Sequence, residues 1–362
     1  MATVDLKLPH HAYRIHIEPG LLGRLGRLVR DVAPHDRAAL LVDANVLDTH
    51  AQAARRALES VGYDVLAHAV APGEAQKNLD TVARLYDVLV NARFERHTPV
   101  IALGGGVVGD TVGFVAASYL RGVPLVQCPT TLLAMVDASV GGKVGVNLPQ
   151  GKNLVGAFYQ PHLVAIDPDT LGTLPPRELR CGLAECVKHA IIGDADLFDW
   201  LEENLDAILA LDPDTLVELV RRNVAIKAAV VTADEKESDQ RAHLNFGHTF
   251  AHAIEATQHY GGYHHGEAVS LGMVAAARLA ADTRRCNAQL AERLVRLLER
   301  IGLPTSASDL APTDTLLETM RVDKKVADGR IRLVLPDRLG AVSIVPDTPE
   351  NAITAAWDSL RG

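Results

Sequence analysis

The chain has 362 residues, enough for about two domains. Its 48% hydrophobic and 22% charged fractions suit a soluble globular protein, and a net charge of −9 without a large basic block argues against a nucleic-acid partner. No apolar run approaches the ~18 residues of a membrane span, and no apolar leader follows Met1; Cys128, Cys181, Cys186 and Cys286 show no CxxC spacing and no disulfide framework, so a cytoplasmic protein is expected.

Residues 13–17, 38–42, 64–70, 99–103 and 125–128 are short apolar runs that read as strands, and amphipathic helices at 49–61 and 79–91 alternate with them. That alternation predicts a parallel sheet covered by helices. The run GGGVVGD at 104–110 follows one strand and opens a helix, the context in which G-x-G-x-x-G lets backbone approach a pyrophosphate. No acid stands about twenty positions on; the acid able to hold a ribose is Asp43, at the end of an earlier strand. A second glycine-rich stretch, 137–147, places Lys143 after two glycines and reads as an anion-binding loop, though it is no Walker A motif. Lys152 and Asn153, in a loop at 150–154, add a cation and an amide.

A boundary is expected near 171–176, giving an α/β dinucleotide-binding domain over 1–175 and a mainly α-helical metal-binding domain over 176–362. In the second part, 178–192 reads as an amphipathic helix on which Glu185, Lys188 and His189 share a face. A carboxylate on a half-buried helix needs a partner or a metal, so Glu185 is an oxygen-ligand candidate, with a plain Glu185–Lys188 ion pair as the alternative. Helices follow at 216–231, which carries Lys227, and at 288–301; 234–240 reads as a charged loop and 331–345 as a hairpin. Residues 241–273 hold six of the fifteen histidines: His243, His248, His252, His259, His264 and His265. A helix over 245–255 puts His248 and His252 on one face, and a second helix opens near His265 after a Gly-Gly break. Imidazoles from two helices with one oxygen ligand suit zinc.

These motifs resemble 3-dehydroquinate synthase, a sugar-phosphate cyclase family. The resemblance rests on GGGVVGD, 113–117, Arg121–Gly122, PTTLL at 129–133, Asp137, 139–143, 151–153, 157–161, 177–179, 182–185, Lys188, 244–249, 252–255, 265–268 and 323–325. It implies an NAD- and zinc-dependent lyase (cobalt being an alternative metal) of the shikimate pathway, which leads to chorismate and aromatic amino acids. The substrate would be a phosphorylated sugar acid, 3-deoxy-D-arabino-heptulosonate 7-phosphate, and the products 3-dehydroquinate and phosphate. Transient oxidation, phosphate elimination, re-reduction and intramolecular aldol closure are the implied steps.

The metal ligands implied by resemblance are Glu185, His248 and His265, with His252 on substrate; the i, i+4 spacing alone would have put His252 on the metal. Arg121, Lys143, Asn153, Asn245, His252 and one of Lys324 or Lys325 are implied around the phosphate, and Lys227 and Arg241 near the carboxylate. Asp137, Lys152 and Lys188 are implied near the ring hydroxyls and nicotinamide. Asp43, Asn45, Glu74, Lys77, Gly105, Gly106, Asp110, Thr130 and Thr131 match cofactor positions, which Asp137, Lys143 and Lys152 share. A homodimer is implied, with Arg121 reaching across its interface. Two departures stand out: Ala251, where the family usually has glycine, and His189, an extra imidazole beside Glu185. A sister cyclase taking another sugar phosphate, or a metal-dependent polyol dehydrogenase, is the competing reading.

Overall fold

The computed structural model describes every residue except 238–239, 259–261, 324–330 and 362. The chain opens with β1 (Ala2–Lys7), β2 (Ala12–Ile17) and α1 (Leu25–Val32), then β3 (Arg37–Asp43), α2 (Gln52–Glu59) and β4 (Asp64–Val70). It continues through α3 (Leu79–Asn91), β5 (Val100–Gly104), α4 (Gly106–Ser118), β6 (Leu125–Pro129), β7 (Lys143–Leu148), β8 (Gly151–Phe158) and β9 (Leu163–Ile166). One seven-stranded sheet runs β1-β2-β9-β6-β5-β3-β4 among the described residues, parallel except for the β1–β2 pair.

Helices cover both faces, which is why the central strands read as unbroken apolar runs. Leu40, Val42, Ile101, Leu103 and Val126 face a cluster with Leu25, Val29, Ala54 and Leu58 of α1 and α2. The alternate residues Ala39, Leu41, Val100, Ala102 and Leu125 face Val82, Leu85, Val108 and Val112 of α3 and α4. Three features differ from the sequence expectation. Neither β1 nor β9 was expected. Residues 143–158, expected as a glycine-rich loop followed by a second loop holding Lys152 and Asn153, form the antiparallel β7–β8 hairpin, with both of those residues on β8.

Past Pro175 come α5 (Pro176–Gly193), α6 (Ala195–Leu209) and α7 (Pro213–Ala233). The chain divides into two compact units, one of Met1–Pro175 with Leu211–Glu235, the other of Pro176–Ala210 with Lys236–Gly362. The helix α7 therefore differs from the expected division at 175: it packs on β1, on β2 and on the 134–138 turn of the first unit. The second unit adds α8 (His248–Thr257), α9 (His265–Asp282), α10 (Ala288–Ile301), α11 (Thr313–Asp323), the β10 (Leu333–Arg338) and β11 (Ala341–Val345) hairpin, and α12 (Glu350–Asp358). This is the expected class: a parallel-sheet α/β unit and a mainly helical one.

The helix expected from residue 245 starts at His248, because Gly247 at φ 79° breaks the helical backbone and 240–245 forms a separate 3₁₀ turn. Phe246, Phe250 and Ile254 are buried as the spacing predicted, and Phe250 meets Trp357 edge-on at 4.9 Å between ring centres. Among the described residues no helix is long and apolar enough to cross a membrane.

Candidate active site

In the first unit, the carboxyl ends of β3, β5 and β6 bring the expected cofactor residues together. Chain order in the sheet reverses between β3 and β5, the point where open α/β sheets leave a crevice for a ligand. Asp43 ends β3, and its Oδ1 accepts the Asn45 N–H at 2.9 Å; burial raises its pKa against that hydrogen bond. Gly104 ends β5, and a Cβ there would stand 2.7 Å from the Cβ of Asp43, so only glycine permits this approach. Gly105 caps α4 and Gly106 opens it, leaving first-turn amides for an anion. Thr130, at the end of β6, donates its N–H to the Gly104 carbonyl at 2.9 Å, while Thr131 lies against Gly105.

A polar network joins the rest. Lys77 is buried, and its Nζ donates to Asp110 Oδ2 and to Asn153 Oδ1, each at 2.6 Å. Burial raises the Asp110 pKa, and the Lys77 ammonium opposes that rise. Asn147 bridges the remainder, donating to Glu74 Oε1 at 2.7 Å and accepting the Asn153 N–H at 2.8 Å. Asn153, expected beside a phosphate, thus shares one network with cofactor candidates. Lys227 of α7 donates to Asp137 Oδ1 at 2.5 Å and also contacts the Asp137 carbonyl oxygen. Lys143 is exposed at the start of β7, Lys152 is half-buried on β8, and Arg121 stands exposed at φ 67° after α4.

In the second unit, α5, α8 and α9 bring Glu185, His248 and His265 together, with one donor atom from each all within 4.8 Å of one another. Glu185 and Lys188 are each 1% exposed and form a buried ion pair. His265 Nε2 lies 3.4 Å and His248 Nε2 3.7 Å from Glu185 Oε1. Each imidazole turns its other nitrogen to an acceptor: His248 Nδ1 is 3.2 Å from the Phe246 carbonyl, and His265 Nδ1 is 3.4 Å from Glu255 Oε1. Such outer contacts fix the tautomer and aim Nε2 at a metal. Both Glu185 oxygens are buried without a hydrogen-bond partner of good geometry, although Lys188 touches one. A buried carboxylate in that state, faced by two oriented imidazoles, fits a divalent cation.

Electrostatics agree. Burial works to raise Glu185, yet the Lys188 ammonium and the two imidazoles hold it well below the carboxylate range. Burial, reinforced by Lys188, pulls His248 down to about 3. Burial also pulls on His265, but Glu185 and Glu255 outweigh it and push the imidazole up to about 10.

His252 is exposed, its ring centre 5.7 Å from that of His248. Asn245 donates to Glu237 Oε1 at 3.3 Å, and Arg241 is buried in the same unit. Lys324 and Lys325 lie outside the described residues. Sequence reasoning gave no role to Glu255, a buried carboxylate beside His265; its signal was a charged residue next to the apolar stripe of α8.

A glycine-cradled crevice on a parallel sheet and a three-donor metal cluster in a helical unit define a class: nucleotide-fold enzymes equipped with a metal. Protein-family models for the 3-dehydroquinate synthase N-terminal and C-terminal regions match residues 67–181 and 182–326. The 3-dehydroquinate synthase of Symbiobacterium thermophilum is 48% identical over 358 residues, covering 98% of this chain and 100% of its own. That of Nitrosomonas europaea is 47% identical over 341 residues, covering 94% and 92%. The chain belongs to the 3-dehydroquinate synthase family. The solved structure of the 2-epi-5-epi-valiolone synthase ValA from Streptomyces hygroscopicus subsp. jinggangensis 5008, with NAD+ and Zn2+ bound, superposes with a TM-score of 0.89 at 30% identity, covering 98% of each chain.

Proposed function

We propose that this enzyme is a 3-dehydroquinate synthase, converting 3-deoxy-D-arabino-heptulosonate 7-phosphate into 3-dehydroquinate and phosphate. The observation that carries the reading is identity of 47–48% over nearly the whole chain to curated enzymes of that name, against 30% to a cyclase of another product. Oxidation of a substrate alcohol, loss of phosphate, return of the hydride and aldol closure leave the reaction redox-neutral, so NAD is regenerated in each turnover.

Glu185, His248 and His265 are assigned to zinc, with cobalt able to replace it, and the crevice around Asp43, Asn45, Glu74, Lys77, Gly105, Gly106, Asp110, Thr130 and Thr131 to NAD. When bound, zinc supplies a Lewis acid that acidifies a substrate hydroxyl, and NAD+ supplies a reversible hydride acceptor. Glu255 orients the His265 ring, and the buried Lys188 ammonium holds Glu185 ionised. Arg121, Lys143, Asn153, Asn245, His252 and one of Lys324 or Lys325 are assigned to the phosphate, Lys227 and Arg241 to the carboxylate, and Asp137, Lys152 and Lys188 to the ring hydroxyls and nicotinamide. A doubly charged phosphate beside a carboxylate calls for that many donors. The reading extends to a cytoplasmic homodimer. Four free cysteines suit a reducing compartment, and light scattering measures the oligomer.

The test is phosphate release from 3-deoxy-D-arabino-heptulosonate 7-phosphate with substoichiometric NAD. Many turnovers per NAD, abolished by a chelator and restored by zinc, are expected. Stoichiometric NADH without phosphate would replace the reading with a polyol dehydrogenase, and turnover of only another sugar phosphate with a sister cyclase.

A further inference from the structure

A second group of potential metal ligands lies in the helical unit, apart from the Glu185 cluster: Glu178, Cys181 and His264, with one donor atom from each all within 4.8 Å of one another. Glu178 and Cys181 are three apart on α5 and share a face, while His264 caps α9. The two helices are held at contact distance here. A Cβ on Gly266 would fall 2.4 Å from the Cys181 Cα, so the backbones cross with no side chain between them.

We propose that Glu178, Cys181 and His264 bind a second, thiophilic divalent cation of the zinc type, one that clamps α5 to α9. The donor set is mixed carboxylate, thiolate and imidazole, which suits zinc and cobalt. Bonds of about 2.0–2.3 Å in a tetrahedron need donors roughly 3.5 Å apart, within reach of small side-chain rotations from the present spacing. His264 Nδ1 already stands 2.9 Å from Glu178 Oε1. Both of these side chains are half-exposed, at 40% and 42%, so an ion can enter and water can complete its shell.

Two backbone amides face the Cys181 sulfur. The backbone amides of Gly266 and Glu267, at the start of α9, point at the Cys181 sulfur and favour its ionised form, and Arg177 lies within electrostatic range. Arg177 is itself held by Glu267, which accepts from its Nε and Nη2 at 2.7 Å each and from the His264 N–H at 2.8 Å. Burial, with the Glu178 and Glu267 carboxylates acting in the same sense, outweighs these amides when no metal is present and pushes the thiol up to about 12, so the free side chain is protonated and inert. Metal binding therefore releases the thiol proton to solvent, and a dication balances one thiolate and one carboxylate. The clamp matters because α5 also carries Glu185, and α9 opens with His265 immediately after His264.

Cobalt titration of the metal-free protein tests this. A thiolate ligand gives cobalt a near-ultraviolet sulfur-to-metal charge-transfer band, whereas the Glu185, His248, His265 set holds no sulfur. The band reports this site whether or not the other cluster fills. A saturable band is expected, absent in Cys181→Ser, which retains phosphate release. His264→Ala keeps the thiol and replaces only a half-exposed side chain. It is expected to weaken the band's titration at least about tenfold, since even an outer-shell loss costs a metal site that much. A wild-type protein without the band at saturating cobalt, a band that survives Cys181→Ser, or unchanged affinity in His264→Ala would overturn the proposal.

Discussion

The metal cluster depends on a glycine that touches none of its ligands. Gly272 sits two turns into α9, where a Cβ would lie 2.1 Å from the Gly247 carbonyl oxygen and 3.1 Å from the Ala251 nitrogen. Carbon and carbonyl oxygen rest at about 3.3 Å or more, so Gly272→Ala must separate α8 from α9 by roughly 1.2 Å. Overpacking of that kind costs about 1–3 kcal/mol, and the helix propensity of alanine over glycine returns about 1 kcal/mol. The net expectation is a loss of about 0–2 kcal/mol, read in urea unfolding of the metal-free protein by Trp200 and Trp357 fluorescence. The effect on metal is larger, because Gly247 leads directly into His248 and metal–ligand distances hold to about 0.2 Å. Zinc affinity, measured by competition with a chelating dye, should fall at least tenfold. Unchanged stability together with affinity within twofold of wild type would show that the helix crossing does not set the metal geometry.

Three further outcomes are expected. Glu185→Gln should lower zinc content below about a tenth per chain. Because it takes the carboxylate partner from buried Lys188, it should also destabilise the metal-free fold by about 3 kcal/mol, both measurable on one sample by metal analysis and chemical unfolding. At pH 7 the metal-free protein holds His265 protonated and His248 neutral, so filling the Glu185 cluster should release about one proton, read by calorimetry in buffers of different ionisation enthalpy. The sign follows from the raised pKa: protonated His265 stabilises the metal-free fold fully below pH 6.5, that contribution disappears as pH climbs toward about 10, and zinc affinity rises over the same interval. Lys77→Met should weaken NAD binding at least tenfold in equilibrium dialysis, with zinc stoichiometry unchanged, because it strands the Asp110 carboxylate and releases Asn153.

The central sheet was legible because its strands are buried on both faces, so β3, β5 and β6 appear as continuous apolar runs ended by Asp43, Gly104 and Pro129. β1 was not, since only Leu6 of its six residues is fully buried and the rest alternate with solvent. Glycines misled at the β7–β8 hairpin. Gly145 and Gly156 face each other across the ladder, where Cβ atoms would fall 2.6 Å and 2.4 Å from the opposing carbonyls of Val155 and Val144, so these glycines permit close strands where a loop was expected. At the metal cluster, helical spacing correctly put His248 and His252 on one side of α8. Glu185, sixty-three residues before His248, was legible as an oxygen-ligand candidate from its half-buried helix, but helical spacing favoured His252 for the metal, so the grouping with His248 and His265 needed the family resemblance.

The membership of α7 in the first unit has a consequence for how the chain is made. The first unit lacks its final segment until residue 235 has left the ribosome, by which time α5 and α6 of the second unit have already emerged. Their apolar faces, including Leu183, Val187, Phe198 and Leu201, then wait for α9, which packs on α5, and for α10, whose Arg293 covers the Phe198 ring, an interval on the order of seconds at ordinary synthesis rates. A fragment ending at Pro175 is therefore an incomplete unit, and the shortest fragment that contains the whole of the first unit ends at Glu235, carrying two helices whose partners it does not encode.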